Sequence, residues 1–178
     1  MKIDLKGYAR NQDGFTLVEV VIASAITLLV MTGLTSLVLT AVRAANIASS
    51  RIEASSQIRN FQLNAYDDFA RSGVPNPSSC GTVSNQCTTE PIVLTGMQVS
   101  NATNPVALGN ETVTYTWDGA LFLDRAAQAG PASHVASGVK PGGFTWYVEG
   151  RTVVVNMTVT VQSYSESQTL RFWPRLNP

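Results

Sequence analysis

Hydrophobic and polar positions follow three regimes along this chain. From Gly14 it reads GFTLVEVVIASAITLLVMTGLTSLVLTAVR, and the 23 residues Val20 to Val42 carry no charge and no proline. At 1.5 Å per residue they span roughly 35 Å as a helix, enough to cross a hydrocarbon core of about 30 Å. After Arg43 the pattern turns amphipathic. Ile47, Ala54, Ile58, Phe61, Ala65 and Phe69 recur at spacings of three, four or seven, and Arg51, Glu53, Arg59, Asp67, Asp68 and Arg71 interrupt them. Gly73 followed by Pro75 is a helix stop. A continuous helix from Phe15 to Ser72 would reach about 87 Å, its second half lying on a globular body.

Beyond Gly73 the period changes. NPSSCGTVSNQCTTEP and SNATNPVALGN are turn-rich, ETVTYTWDGALFLDR alternates and carries aromatics, and AAQAGPASHVASGVKPGG reads as a long surface loop. FTWYVEGRTVVVNMTVTVQ is the strongest strand signal, a hairpin of Phe144 to Val148 and Thr152 to Gln162 about Glu149-Gly150. A last strand, SQTLRFWP, follows the polar turn Ser163 to Glu166. The expected fold class is α+β: a long N-terminal hydrophobic helix with a small antiparallel β-sheet laid on it. Its expected parts are 1–14, 15–42, 43–72 and a β-rich head, 73–178.

Composition supports an anchored domain. Charged residues make up 13% of the 178, against roughly 25% in soluble proteins, and the deficit is regional. Formal net charge is zero, and without residues 1–14 nine basic and ten acidic side chains remain; neither number suggests a general nucleic-acid binder, which would carry a basic stripe. Two cysteines, Cys80 and Cys87, cannot close a four-ligand zinc site, and the single histidine, His134, is remote. A disulfide in an oxidising compartment is the reading preferred over two free thiols, and so short a loop would add about 2 to 3 kcal/mol on the chain-entropy model.

Glu19 is the anomaly of the apolar segment. A cleaved secretory signal has an apolar stretch of only about 7 to 15 residues, and the small-residue triplet Ala23 to Ala25 lies inside the run instead of after it. An ordinary single-span anchor, with Glu19 solvated at the interface, satisfies hydropathy but gives the carboxylate no purpose. At a span's centre it would cost about 2.5 to 3.5 kcal/mol, less near an interface. Three basic residues precede the span and Arg43, Arg51 and Arg59 follow it, so charge asymmetry does not orient it.

Gly14-Phe15-Thr16-Leu17-Val18-Glu19, behind a short polar leader and ahead of a long apolar helix, resembles the processing motif of type IV prepilins and type II secretion pseudopilins. The resemblance implies a membrane-embedded prepilin peptidase that cuts between Gly14 and Phe15 on the cytoplasmic side and N-methylates Phe15. It implies an assembly role for Glu19, neutralising the terminal ammonium of a neighbouring copy, since a paired buried charge is tolerated where a lone one is not. Expected partners are that peptidase, other pilin or pseudopilin subunits, the inner-membrane assembly platform and membrane lipid. The expected location is the bacterial inner membrane, N-terminus cytoplasmic and head periplasmic, then a pilus or pseudopilus. The valine-rich strand, polar turn and Leu170-Arg171-Phe172 are similar to the J class of minor pseudopilins and the W class of minor pilins. Major pilins tend to carry a proline where this chain has Ser36, and a C-terminal disulfide loop where this chain has none. Both departures point to a minor subunit, with tip or initiation complexes as its setting. Alternatives are a DNA-uptake or adhesive minor pilin and a single-span envelope protein with an unrelated binding domain.

Catalysis finds no support in the residues. His134 reads as a solvated loop side chain without a positioned partner, so no enzyme and no cofactor is expected. Glu111, Asp118 and Asp124 could offer oxygens to calcium but fit no EF-hand spacing, and no metal is assigned. Asn101, Asn110 and Asn156 match the N-glycosylation pattern, read as chance beside a bacterial-type leader. Arg171, Phe172, Trp173 and Arg175 have the composition of a single-stranded DNA groove, although overall charge gives DNA no support. Packing of the last strand is the competing and preferred use.

Overall fold

The computed structural model describes residues 14–100, 107–128 and 130–175, without the side chains of 97–100 and 107–110. The expected leader up to Asp13, and Asn101, lie outside these. The described chain forms a helix, α1 (Leu17–Arg71), then β1 (Ile92–Ser100), β2 (Ala107–Trp117), β3 (Phe122–Ala127), β4 (Ser133–Ser137), β5 (Val139–Glu149), β6 (Thr152–Val161) and β7 (Tyr164–Phe172). It divides into two compact units, Met1–Ala45 and Asn46–Pro178. The second unit takes in the amphipathic part of α1 and every strand.

That unit holds two antiparallel sheets, ordered β1-β2-β3-β4 and β5-β6-β7, where the sequence led us to expect one small sheet. The segment read as a long loop is one part of the difference: it supplies β4 and the start of β5. Its small residues give weak strand propensity, but Val135, Ala136 and Val139 are buried. Amides on α1 fix the backbone, Asn60 Nδ2 donating to the Val135 carbonyl at 2.8 Å and Gln57 Oε1 accepting the Ser137 N–H at 3.0 Å. Gly138 turns β4 into β5 at φ 77°, where a Cβ would stand 2.7 Å from the Thr160 carbonyl oxygen.

The core forms where the stripe of α1 meets both sheets. Ala54, Ile58, Phe61, Ala65 and Phe69 are buried, whereas Ile47, counted in the stripe, is 55% exposed because the first buried turn begins at Ser50. Phe61 packs edge-on against Tyr115, Phe144 and Phe172, with centroids 5.5, 6.1 and 6.1 Å away, touching strands of both sheets. Phe69 stacks on Phe172 at 4.4 Å. The alanines at 54 and 65 leave room for these rings.

One charge in the stripe is also buried. Asp68 receives Arg125 through Nε at 2.7 Å and Nη2 at 2.9 Å, and the Tyr115 hydroxyl donates to its Oδ2. Helix, β2 and β3 are thereby tied at one carboxylate, with both oxygens satisfied. Burial first, then the bond to Asp68, pushes the Tyr115 hydroxyl well above the usual tyrosine range, so it stays a neutral donor.

Cys80 and Cys87 form a disulfide. Cys87 exchanges backbone hydrogen bonds with Trp146 at 2.8 and 3.0 Å, and the Val148 N–H donates to the Gly81 carbonyl at 2.9 Å. The closed loop thus covers the outer edge of β5, an edge that would otherwise be open to pairing with other chains. Glu90 secures the approach to it, Oε1 accepting from the Ser78 N–H at 2.7 Å and the Ser78 hydroxyl at 2.8 Å, which lowers its carboxyl below the usual range.

Two predictions follow from these bonds. Asp68→Ala strands the Arg125 charge and is expected to cost about 3 to 5 kcal/mol, whereas Asp67→Ala, breaking an exposed pair with Arg71, costs at most about 1 kcal/mol; denaturant unfolding followed by tryptophan fluorescence compares them. Because the folded Glu90 carboxyl is lowered, its bonds persist at and above the unfolded value near pH ~4.3 and fade as pH falls through the lower folded value. Hydrogen exchange at the Ser78 amide should accelerate only in that acid window.

Candidate functional site

The segment 14–43 singles itself out as the functional region by its exposed chemistry. Its helix is long and apolar enough to cross a membrane, with a mean hydropathy of 2.2 in its most apolar window and none of that window buried. Phe15 is 85% exposed, and the large apolar side chains from Leu17 to Val42 are all uncovered. Hydroxyls within the run turn back on the helix: those of Ser24, Thr27, Thr32, Thr35 and Thr40 donate to carbonyls three or four residues earlier at 2.7 to 2.9 Å.

At its start the helix has a reciprocal cap that hydropathy reading missed. Glu19 Oε2 accepts from the Thr16 N–H at 3.2 Å and the Thr16 hydroxyl at 3.1 Å, and Thr16 Oγ1 accepts from the Glu19 N–H at 3.3 Å. This is the S/T-x-x-E capping box, present in the sequence as Thr16-Leu17-Val18-Glu19. The carboxylate also sits where the positive end of the helix dipole favours it. Glu19 therefore has a structural occupation in the single chain, one that engages Oε2 alone. Gly14 and Phe15 precede the first helical residue in an exposed, extended approach.

Elsewhere the structure redistributes the candidate residues. Phe172 is 4% exposed and stacked on Phe69, so it belongs to the core and cannot stack on a ligand, which corrects its place in the basic and aromatic cluster. Arg171 Nη1 donates to Glu149 Oε2 at 3.1 Å. Trp173 and Arg175 remain exposed, lining a cleft of about 100 Å³ with Tyr66 and Ala70. His134, expected in a loop, lies on β4, paired through Nδ1 with Asp124 and stacked on Phe122 at 4.5 Å.

The carboxylates considered for calcium have separate occupations. Asp118 Oδ1 accepts the N–H groups of Ala120, Leu121 and Phe122 at 2.8 to 2.9 Å, which closes the β2–β3 turn and lowers its carboxyl. Among the described residues, the grouping closest to a metal set is Cys80, Cys87 and Glu90. Its two sulfurs are bonded to each other, which removes them as thiolate ligands.

A family model for the prokaryotic N-terminal methylation motif matches residues 9–35. No curated protein and no solved structure matches the chain. The chain thus carries the prepilin-type signature, at the head of an α+β, pilin-like architecture of one long apolar helix followed by antiparallel sheets. That signature implies processing by a prepilin peptidase and assembly with other pilin subunits, and with the apolar helix it fits a membrane-anchored protein.

The corrected cluster yields a paired test. Phe172→Ala should lose about 3 to 5 kcal/mol of stability, as large-to-small aromatic changes in a core do, while Trp173→Ala should fall within about 0.5 kcal/mol of the parent. Thermal unfolding of both variants distinguishes a core strand from a ligand surface.

Proposed function

We propose that this protein is a minor pilin or pseudopilin: a structural subunit that waits in the bacterial inner membrane with its head outside the cytoplasm, is cut between Gly14 and Phe15, is N-methylated on Phe15, and then joins a filament through α1. The carrying observation is the methylation motif matched over residues 9–35, a stretch that includes Gly14–Glu19, at the start of an uncovered apolar helix. Cleavage would leave an ammonium on Phe15, directly before the Thr16 N–H that Glu19 already accepts. Since Oε2 takes both Thr16 bonds, Oε1 remains for the ammonium of a neighbouring copy. A lone carboxylate in that setting would be costly, and a shared one is tolerable.

Two features support a minor role over a major one. Ser36 stands where major pilins tend to have a proline, and the disulfide lies shortly after the helix. The tethered head, crossed by a disulfide, also supports an oxidising compartment for the second unit.

Intact mass of the protein recovered from membranes tests the processing: a chain beginning at methylated Phe15 is expected, and one retaining the leader would sink the reading. Glu19→Ala should insert and be cleaved normally yet enter filaments at least about tenfold less, the equivalent of a ~1.4 kcal/mol loss. Unchanged incorporation would refute the assembly role.

A further inference from the structure

Each of the two sheets has two edges, and the outer edges of β1, β4 and β5 are all engaged. The Gly73 N–H donates to the Thr95 carbonyl of β1 at 3.0 Å, side-chain amides of α1 hold β4, and the disulfide loop lies along β5. The outer edge of β7 differs: among the described residues, no hydrogen bond from outside its own sheet reaches its backbone. Pairing with β6 begins at Val161 and Tyr164, either side of the two-residue turn Gln162-Ser163. Counted from that hydrogen-bonded pair, the N–H and carbonyl groups of Ser165, Ser167, Thr169 and Arg171 point away from β6. Edge strands are commonly blunted by shortness or proline, yet β7 has nine residues and no proline.

The flank of α1 beside this edge is also unfinished. Helix and strand run side by side, from Arg51, whose guanidinium lies 5.3 Å from the centre of the Tyr164 ring, to Phe69, stacked on Phe172. The helical distance between those contacts, about 27 Å, matches the strand distance of about 26 Å. Ile52, Leu63 and Tyr66 are exposed here, on one side of the helix with Arg59 at spacings of seven, four and three. A groove of about 550 Å³ opens between Arg51, Ile52 and Arg59 on α1 and the side chains of Tyr164 and Glu166 on β7.

We propose that this groove and the β7 edge take one further β-strand, an extended segment of a different protein with acidic side chains four residues apart. Arg51 and Arg59 are separated by about 12 Å along the helix, and residues i and i+4 of a strand lie about 13 Å apart on one face. Arg59 has no carboxylate partner among the described residues. Between the two arginines stands Glu166, which accepts from the Ser55 hydroxyl at 2.7 Å. It would repel a third acid, so the middle inward position of the segment is neutral, and Ile52 favours an apolar side chain there. The added backbone continues the β7 ladder, and the side-chain pockets supply selectivity. The acids in this chain's own strands, Glu111, Asp124, Glu149 and Glu166, lie at no such spacing, which points away from a second copy. A nucleic-acid strand would bring phosphates against Glu166 and leave the outward N–H and carbonyl groups of β7 without a ladder.

Fluorescence anisotropy tests the proposal, using the detergent-solubilised full chain and a labelled nine-residue peptide of threonine and valine with glutamate at its third and seventh positions. Saturable binding is expected, weakened about tenfold by Arg59→Glu, by Ser167→Pro, which removes one outward N–H, and by a third glutamate at the peptide's fifth position. N-methylation of one alternate set of peptide amides should abolish binding while methylation of the other set leaves it intact, a result that needs no variant of the protein to fold. Thermal unfolding of both variants separates lost binding from lost fold. Absence of binding, equal binding by folded Arg59→Glu, indifference to both sets of N-methyl groups, or tighter binding of a single-stranded oligonucleotide would overturn the proposal. So would self-association of the chain that Arg59→Glu abolishes, which would assign the groove to a second copy. Neither leader processing nor filament entry enters the measurement, so its outcome is independent of the assembly reading.

Discussion

The phenyl ring of Phe61 is where the globular unit closes. Edge contacts to Tyr115 on one sheet and to Phe144 and Phe172 on the other make it the shared surface of three layers. Everything around it follows from keeping that ring enclosed. Ala54 and Ala65 stay small, Phe69 stacks behind, and Asp68 beside it brings Tyr115 and Arg125 to the same helix face. Each sheet needs its apolar side covered, and one amphipathic helix covers both, so the outer half of α1 belongs to the head more than to the span.

Legibility in the sequence tracked how local each cause was. The apolar run, the stripe from Ala54 to Phe69 and the valine-rich hairpin are written in spacing, and the structure has helix and strands there. What escaped depends on distant partners. β4 has the composition of a loop and becomes a strand because Asn60 and Gln57, far upstream, hold its backbone. Asp68 looks like an interruption of the stripe until Arg125 arrives from β3 to neutralise it. Phe172 takes the packing use preferred for the last strand, buried with Leu170 and stacked on Phe69. The Thr16–Glu19 cap is local, and its S/T-x-x-E spacing is legible in the sequence.

The N-terminal and globular units treat these polar groups alike. In the head, three carboxylates are held in pairs or caps: Asp68 with Arg125, Asp118 with a turn's backbone, Glu90 with Ser78. In the span the same rule appears with hydroxyls alone, and Glu19 obeys it through Thr16. The processing motif is therefore compatible with helix stability, because the residue that resembles an assembly contact also closes the first turn.

The back-bonded hydroxyls of the span have a further consequence. Ser24, Thr27, Thr32, Thr35 and Thr40 satisfy their donors on their own helix. A segment whose polar atoms depend on no outside partner can exchange one apolar surrounding for another without breaking or re-forming a hydrogen bond. For these hydroxyl-bearing side chains, moving from lipid into a bed of other helices is a question of shape and dispersion, which leaves the Glu19 carboxylate as the group that distinguishes one surrounding from the other.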